Sequence, residues 1–180
     1  MTSLKYPIGK YSAIADPSGT QMEEWLEQLT AFPAQMRDLV KGITPEKSRW
    51  RYRPEGWSIA QVVHHCADSH LNSYTRFRLA LTEEQPHIKP YHEDRWAELP
   101  DAQMDDLSDS LLLLHALHRR WVYLLRSLTA DQWGRTFQHP EHGEIYSLKE
   151  TLGQYAWHGL HHLAHVRQAL ASAGEYGSVE

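Results

Sequence analysis

The chain has 180 residues, of which 41% are hydrophobic and 23% charged, with a net charge of −5 and a mean hydropathy of −0.60. These values fit one soluble domain, residues 1–180, with a sizeable core. They exclude a membrane span, since no apolar run approaches the ~18 residues needed. They also argue against nucleic acid, because "RWRYR" at residues 49–53 is the only basic cluster. The start, "MTSLKYPIGKY", has no apolar stretch of the signal-peptide kind. Cys66 is the only cysteine, so no intrachain disulfide can form. Together these features lead us to expect a cytoplasmic protein.

Helical periodicity appears in four long segments. The first covers about residues 21–41, with Trp25, Leu26, Leu29, Phe32, Met36 and Val40 spaced three and four apart. The second opens at Ser58, where Gln61 three residues on completes a capping box, and reaches about Thr82. The third spans about residues 105–128. The fourth opens at Ser147, with Glu150 as its box partner, and ends near Ala173, where Gly174 is placed to stop it. Pro45, Pro54, Pro86, Pro90, Pro100 and Pro140 punctuate the connections. "GEIYSL" is long enough for one short hairpin strand. A faint repeat relates the halves: in each, a helix ends, a Thr-initiated turn carries a Trp, and a Ser-capped helix leads to histidines. The pattern predicts an all-α, antiparallel four-helix bundle.

The fourth helix carries "YAWHGLHHLAHV", with four histidines. On a helical wheel its inward stripe is Leu148, Leu152, Tyr155, Gly159, Leu163, Val166 and Leu170. His162 falls in that stripe and His158 at its edge, while His161 and His165 fall toward solvent. An inward pair four residues apart can share one metal ion, whereas burying two unpartnered imidazoles costs desolvation twice. A third ligand has to come from elsewhere, and the second helix offers His64, His65 and His70. Its apolar stripe of Ile59, Val63, Cys66, Phe77 and Leu81 contains His70 and leaves His65 on the flank, so periodicity favours His70. His87, His92, His115, His118, His139 and His142 lack paired spacing and read as surface or loop residues.

"WSIAQVVHHCADSH" followed far downstream by "WHGLHHLAH" resembles the DinB superfamily, and within it the YfiT group of metal-dependent hydrolases whose substrate is unknown. "YPIGKY", "SHLNSYTRF" and "LTEEQPHIKPY" extend the likeness over nearly the whole chain. The resemblance implies a four-helix bundle holding one divalent ion, zinc or nickel, per subunit through three histidines. The matching positions are His65, His158 and His162. Cys66 stands where the family usually has leucine, which puts a thiol beside the site. His70 then becomes a candidate for contacting a ligand or the substrate. A homodimer is also implied, and the apolar run "LLLLHALHRRWVYLL" agrees with it.

Three neutral histidines leave a metal with an open position for water or substrate. Neither HExxH nor GxSxG is present. Asp68, His70 and His161 are near in sequence, but none stands out as a general base. The long connection at residues 83–100 offers Tyr91, His92 and Trp96 for the entrance. The first expectation is a hydrolase acting on a small molecule. The alternatives are an S-transferase using a low-molecular-weight thiol of the bacillithiol type, or a non-catalytic metal or stress-response binding protein.

Overall fold

The computed structural model describes residues 4–140 and 143–179. His142 lies outside the described residues. The chain forms α1 (Gly19–Leu39), a short α2 (Pro45–Ser48), α3 (Ile59–Thr82), a short α4 (Glu93–Trp96), a 3-10 turn (Pro100–Gln103), α5 (Ser108–Arg126), a short α6 (Ala130–Trp133), β1 (Thr136–Gln138), β2 (Ile145–Ser147) and α7 (Leu148–Ala171). The long helices are those expected, and their starts are fixed by local chemistry. Ser58 and Ser147 each accept a backbone N–H at the third helical position while Gln61 and Glu150 reach back to the cap. The repeat is real at the level of turns: Thr44 caps α2 and Thr129 caps α6.

Two details differ from expectation. The strand in "GEIYSL" has a partner, since β1 pairs with β2 antiparallel in the register Thr136↔Ser147. The fourth helix is also released one residue early. Its C-cap is Ser172, and Ala173 already has a φ of 49° ahead of Gly174 at 85°.

Contacts give the helix directions. Glu23 pairs with Arg126 and the Leu29 carbonyl with His118, so α1 and α5 run antiparallel. His65 meets His158 and Ser69 meets Tyr155, so α3 and α7 run antiparallel. His64 meets Ser110 and His70 meets His118, so α3 and α5 run the same way. Trp25 lies on Gly153 and Phe32 on Gly159, so α1 and α7 run the same way. The bundle is thus antiparallel with two helices in each direction, and α1 and α3 lie diagonally across it. Because α3 and α5 are successive and parallel, the chain must travel back along a helix of roughly 36 Å between them. That return is residues 83–107, and it explains why this connection is long.

Two apolar clusters fill the interior. One centres on Trp121, Phe77, Leu148 and Leu152, the other on Met36, Val63, Leu114 and Leu163. Between them the helices place imidazoles rather than hydrocarbons. His70 lies between Cys66 and Tyr74, His118 between Leu114 and Trp121, and His158 between Ala156 and Leu163. Phe32 of α1 closes this layer from one side, stacking on His70 with ring centroids 5.0 Å apart.

Phe32 reaches the layer because Gly159 has no side chain. A Cβ there would sit 2.9 Å from the Phe32 ring and 3.2 Å from its Cγ. Gly→Ala inside a helix ordinarily stabilises by about 1 kcal/mol, but forcing a buried ring aside costs about 1–3 kcal/mol. The second effect should win. Gly159→Ala is expected to lower the melting temperature by several degrees, and a rise would show that Phe32 yields freely.

Candidate metal centre

The structure brings His65 of α3 together with His158 and His162 of α7. Among the described residues these form the cluster of three metal-ligating side chains, with ligand atoms all within 4.8 Å of one another. His158 Nε2 lies 3.3 Å from His65 Nε2 and 3.2 Å from His162 Nε2. Nitrogens held by one tetrahedral ion at 2.0–2.1 Å are about 3.3 Å apart, so the spacing fits a single divalent ion. The i, i+4 step on α7 supplies two of the three nitrogens, and the antiparallel crossing of α3 supplies the third.

The outer hydrogen bonds decide which ring nitrogens carry protons. The Leu29 carbonyl can only accept, so His118 Nδ1 donates to it at 2.7 Å. That leaves His118 Nε2 as an acceptor, and His70 Nδ1 donates to it at 2.7 Å. His70 Nε2 then accepts from His158 Nδ1 at 3.0 Å. A second chain runs outward from the other ligand. His165 Nε2 donates to the Lys5 carbonyl at 3.2 Å, and His162 Nδ1 donates to His165 Nδ1 at 3.4 Å, a long contact. Both chains end with a bare Nε2 lone pair on His158 and on His162. Two lone pairs 3.2 Å apart repel, and neutral rings in these tautomers cannot bond to each other. A cation at that point satisfies both, and this is the strongest fit of the residues to a metal.

The first chain has its origin in the sequence. Pro33 sits inside α1. It has no N–H, so the carbonyl four residues back, that of Leu29, loses its intrahelical donor. His118 fills that vacancy.

Several sequence expectations are corrected here. His70 spends both ring nitrogens on other histidines, so the position favoured by periodicity is not free to bind an ion, whereas the flanking His65 is. His70 is in the apolar stripe, with 0% exposure, because that stripe faces the core; His65 faces α7. His161 and His165 do not point to solvent. Tyr6 and Trp157 sandwich His161 at centroid distances of 5.9 and 4.5 Å, and Tyr52 stacks on His165 at 3.8 Å. The covering residues lie mostly outside the long helices, so no wheel shows them. His118 is not a surface residue but 2% exposed. Its signal was the missing donor at Pro33, which carries no histidine spacing. His64 is bonded to Ser110 and the Met104 carbonyl, away from the triad. Cys66 is fully buried in apolar packing, and burial pushes its thiol up, so it serves the core.

A cavity of about 510 Å³ opens onto the triad. Tyr91 lines it from the 83–107 crossover, along with Pro90 and Glu93; His92 and Trp96 do not. His139 lines it as well, another correction, since β1 pins the crossover through the Ile88 N–H to Gln138 carbonyl bond and so brings the next residue to the opening. Ser69, Gln154 and Tyr155 form part of the wall. The Tyr155 hydroxyl donates to the Ser69 carbonyl and accepts from the Ser69 hydroxyl, both at 3.2 Å. Asp68 does not line the cavity.

Burial keeps the layer neutral. It lowers His65 to about 4, helped by nearby His161, and His118 to about 4 against the raising effect of the Leu29 carbonyl. His70, His158 and His162 are held well below the usual range by burial and then by one another. Neutral imidazole is the form that binds metal. The same shifts set a pH dependence. The unfolded chain takes up protons below about 6.5 that the folded chain refuses until about pH 4. Stability is therefore full above that window and falls as the pH drops through it, by up to about 1.4 kcal/mol per pH unit for each such histidine. Chelator-treated protein should unfold at markedly lower urea at pH 5 than at pH 7; equal midpoints would contradict the neutral layer.

Comparison with known proteins places this geometry in a family. A model of the DinB superfamily matches residues 28–166. YfiT of Bacillus subtilis is 48% identical over 170 residues, spanning 93% of this chain and 96% of its own. A Bacillus pumilus relative is 45% identical over 170 residues, spanning 94% and 97%. Both bear the provisional name of metal-dependent hydrolase. The solved structure of Bacillus subtilis YfiT, described as a probable metal-dependent hydrolase with an unusual four-helix bundle topology, matches with a TM-score of 0.92 at 46% identity, over 95% of this chain and 98% of that one. Mycothiol-dependent maleylpyruvate isomerase shares the fold alone, with a TM-score of 0.54 at 18% identity over 81% of this chain and 60% of its own. With more than half its length matched by the family model and close relatives covered almost end to end, the chain belongs to the DinB superfamily.

Proposed function

We propose that the protein is a metal-dependent hydrolase of a small molecule, with His65, His158 and His162 holding one divalent ion, zinc or nickel. The observation that carries this reading is the pair of Nε2 lone pairs forced to face each other over 3.2 Å. Bound there, the ion would supply Lewis acidity and lower the pKa of a water molecule. Three neutral ligands leave its charge undiminished. The chain's own part is positional. The two hydrogen-bond chains hold His158 and His162 each in one tautomer, Trp57 tilts against His65 at 4.7 Å, and Ser69 and Tyr155 offer hydroxyls beside the triad for a polar group of the substrate. Among the described residues the cluster has three members, which supports an open position over a closed structural site. A cytoplasmic setting belongs to the same reading and rests on the lone, buried Cys66.

The ligand set is tested by metal content after mild chelation. His65→Ala, His158→Ala and His162→Ala should each lose the ion, while His161→Ala keeps it. His70→Ala should keep it with affinity reduced about 10–100-fold, because His158 loses the group that orients it. An empty site in His70→Ala beside a full one in His65→Ala would overturn the assignment.

The reaction class is tested on metal-loaded protein with ester, amide and electrophile substrates, each with and without a small thiol. Hydrolysis without thiol is expected. Turnover that requires a thiol would make the protein an S-transferase, and none with any class would make it a binding protein. A homodimer is part of the proposal too, supported by the exposed Leu112 and Tyr123 of α5, at 66% and 81%. Sedimentation at micromolar concentration should give twice the chain mass, and a monomer would refute it.

A further inference from the structure

One charged side chain in the cavity has no function in the site described above. Arg76 lines the same space as the triad. Its Nε is buried without a hydrogen-bond partner, and no ion pair among the described residues includes it. Arginine cannot shed its proton to escape this position, and a buried guanidinium nitrogen without an acceptor is costly. Other arginines here do find acceptors: Arg49 takes Asp105, Arg126 takes Glu23, and Arg135 takes two backbone carbonyls and Glu84. The cost at Arg76 is retained in a cavity wall, where a ligand can relieve it.

Position along α3 says what kind of ligand. His65, Ser69 and Arg76 stand at steps of four and seven, so they share a face. Arg76 is eleven residues beyond His65, a rise of about 16 Å between their backbones, and its side chain leans back toward the helix start. The wall therefore reads, in order, metal ligands, the Ser69 and Tyr155 hydroxyls, Tyr91, then the guanidinium. Lys5 and Arg76 outnumber the one carboxylate among the residues lining the cavity, Glu93. A guanidinium fork matches a carboxylate in two parallel hydrogen bonds.

The geometry points to Arg76 as the anchor for a substrate carboxylate, with the reacting end of that substrate at the histidine triad. The substrate class is thus an elongated small acid whose anionic end and reacting bond lie several bonds apart. A single small anion cannot meet both ends. This deepens the hydrolase reading and rests on it for the identity of the reacting end; the demand for an acid does not.

Two binding experiments separate the claims. In the first, cobalt-loaded protein is titrated with ω-mercaptocarboxylates of about four to six carbons and with the matching carboxamides, following the thiolate-to-cobalt absorption band. The acids should bind at least tenfold more tightly than the amides. In Arg76→Gln that preference should collapse to less than threefold, with amide affinity and cobalt content unchanged; Arg76→Lys should keep part of it. In the second, metal-free protein is titrated calorimetrically with adipate against adipamide. Preference for the acid in the native chain and its loss in Arg76→Gln support the anchor whether or not metal loads. Failure of every cobalt-loaded sample to show a thiolate band, beside an intact adipate preference, would sink the metal reading and leave Arg76 standing. Equal binding of acids and amides by the native chain, or equal weakening of both by Arg76→Gln, would overturn the anchor.

Discussion

The histidine layer depends on one carbonyl. A helical carbonyl normally accepts from the N–H four residues on, and at Leu29 that donor is missing because residue 33 is proline. An orphaned carbonyl in a core would ordinarily be a defect. Here it accepts from His118, and because it cannot donate, the direction of every bond beyond it follows: His118 to Leu29, His70 to His118, His158 to His70. The proton position on His158 is thus set by a proline on a helix that contributes no ligand. At the other end, the Lys5 carbonyl does the same for His162 through His165.

This arrangement explains why the core is split. A layer of neutral imidazoles is a poor neighbour for hydrocarbon unless its polar atoms are satisfied, and a partly satisfied network is worse than none. The first chain satisfies every nitrogen on His70 and His118, and the two chains together leave bare Nε2 atoms on His158 and His162, next to the cavity. Aromatic rings insulate the layer: Phe32 stacks on His70, and Trp121 meets His118 edge-on with centroids 5.8 Å apart. The apolar clusters on either side supply the stability that the layer does not. The fold therefore leaves the facing lone pairs of His158 and His162 where an ion can enter.

What could be read from the sequence was local. Ser58 with Gln61 and Ser147 with Glu150 announce their helices because capping involves residues three apart. The His158–His162 pair is legible for the same reason. The third member was not, because a helical wheel ranks positions by burial and the buried position, His70, faces the wrong neighbour. Only the crossing of α3 and α7 brings His65 beside His158 and His162 and makes it the ligand candidate. His118 was invisible because its partner is a backbone atom eighty-nine residues away. His161 and His165 were misplaced because their covers, Tyr6 and Tyr52, come from segments without periodicity. The 83–107 crossover could be seen to be long, but its length follows from the parallel course of α3 and α5, which no local pattern encodes.

The faint repeat acquires a physical meaning once α3 and α7 are seen to be antiparallel. Each begins at a serine cap, so equal distances from the caps are equivalent places. The seventh residue from Ser58 is His65, and the seventh from Ser147 is Gln154. The eleventh are Ser69 and His158, and the eighteenth are Arg76 and His165. All six line one cavity. Antiparallel packing sets the early turns of one helix against the later turns of the other, so His65 meets His158 at one end while Ser69 faces the neighbourhood of Gln154 at the other. The two ends of the cavity are thus related positions carrying different chemistry. Imidazoles converge at one, and hydroxyls, an amide and a guanidinium gather at the other. Two helices with matching starts give the cavity its facing walls, and the difference between three pairs of residues gives it a direction.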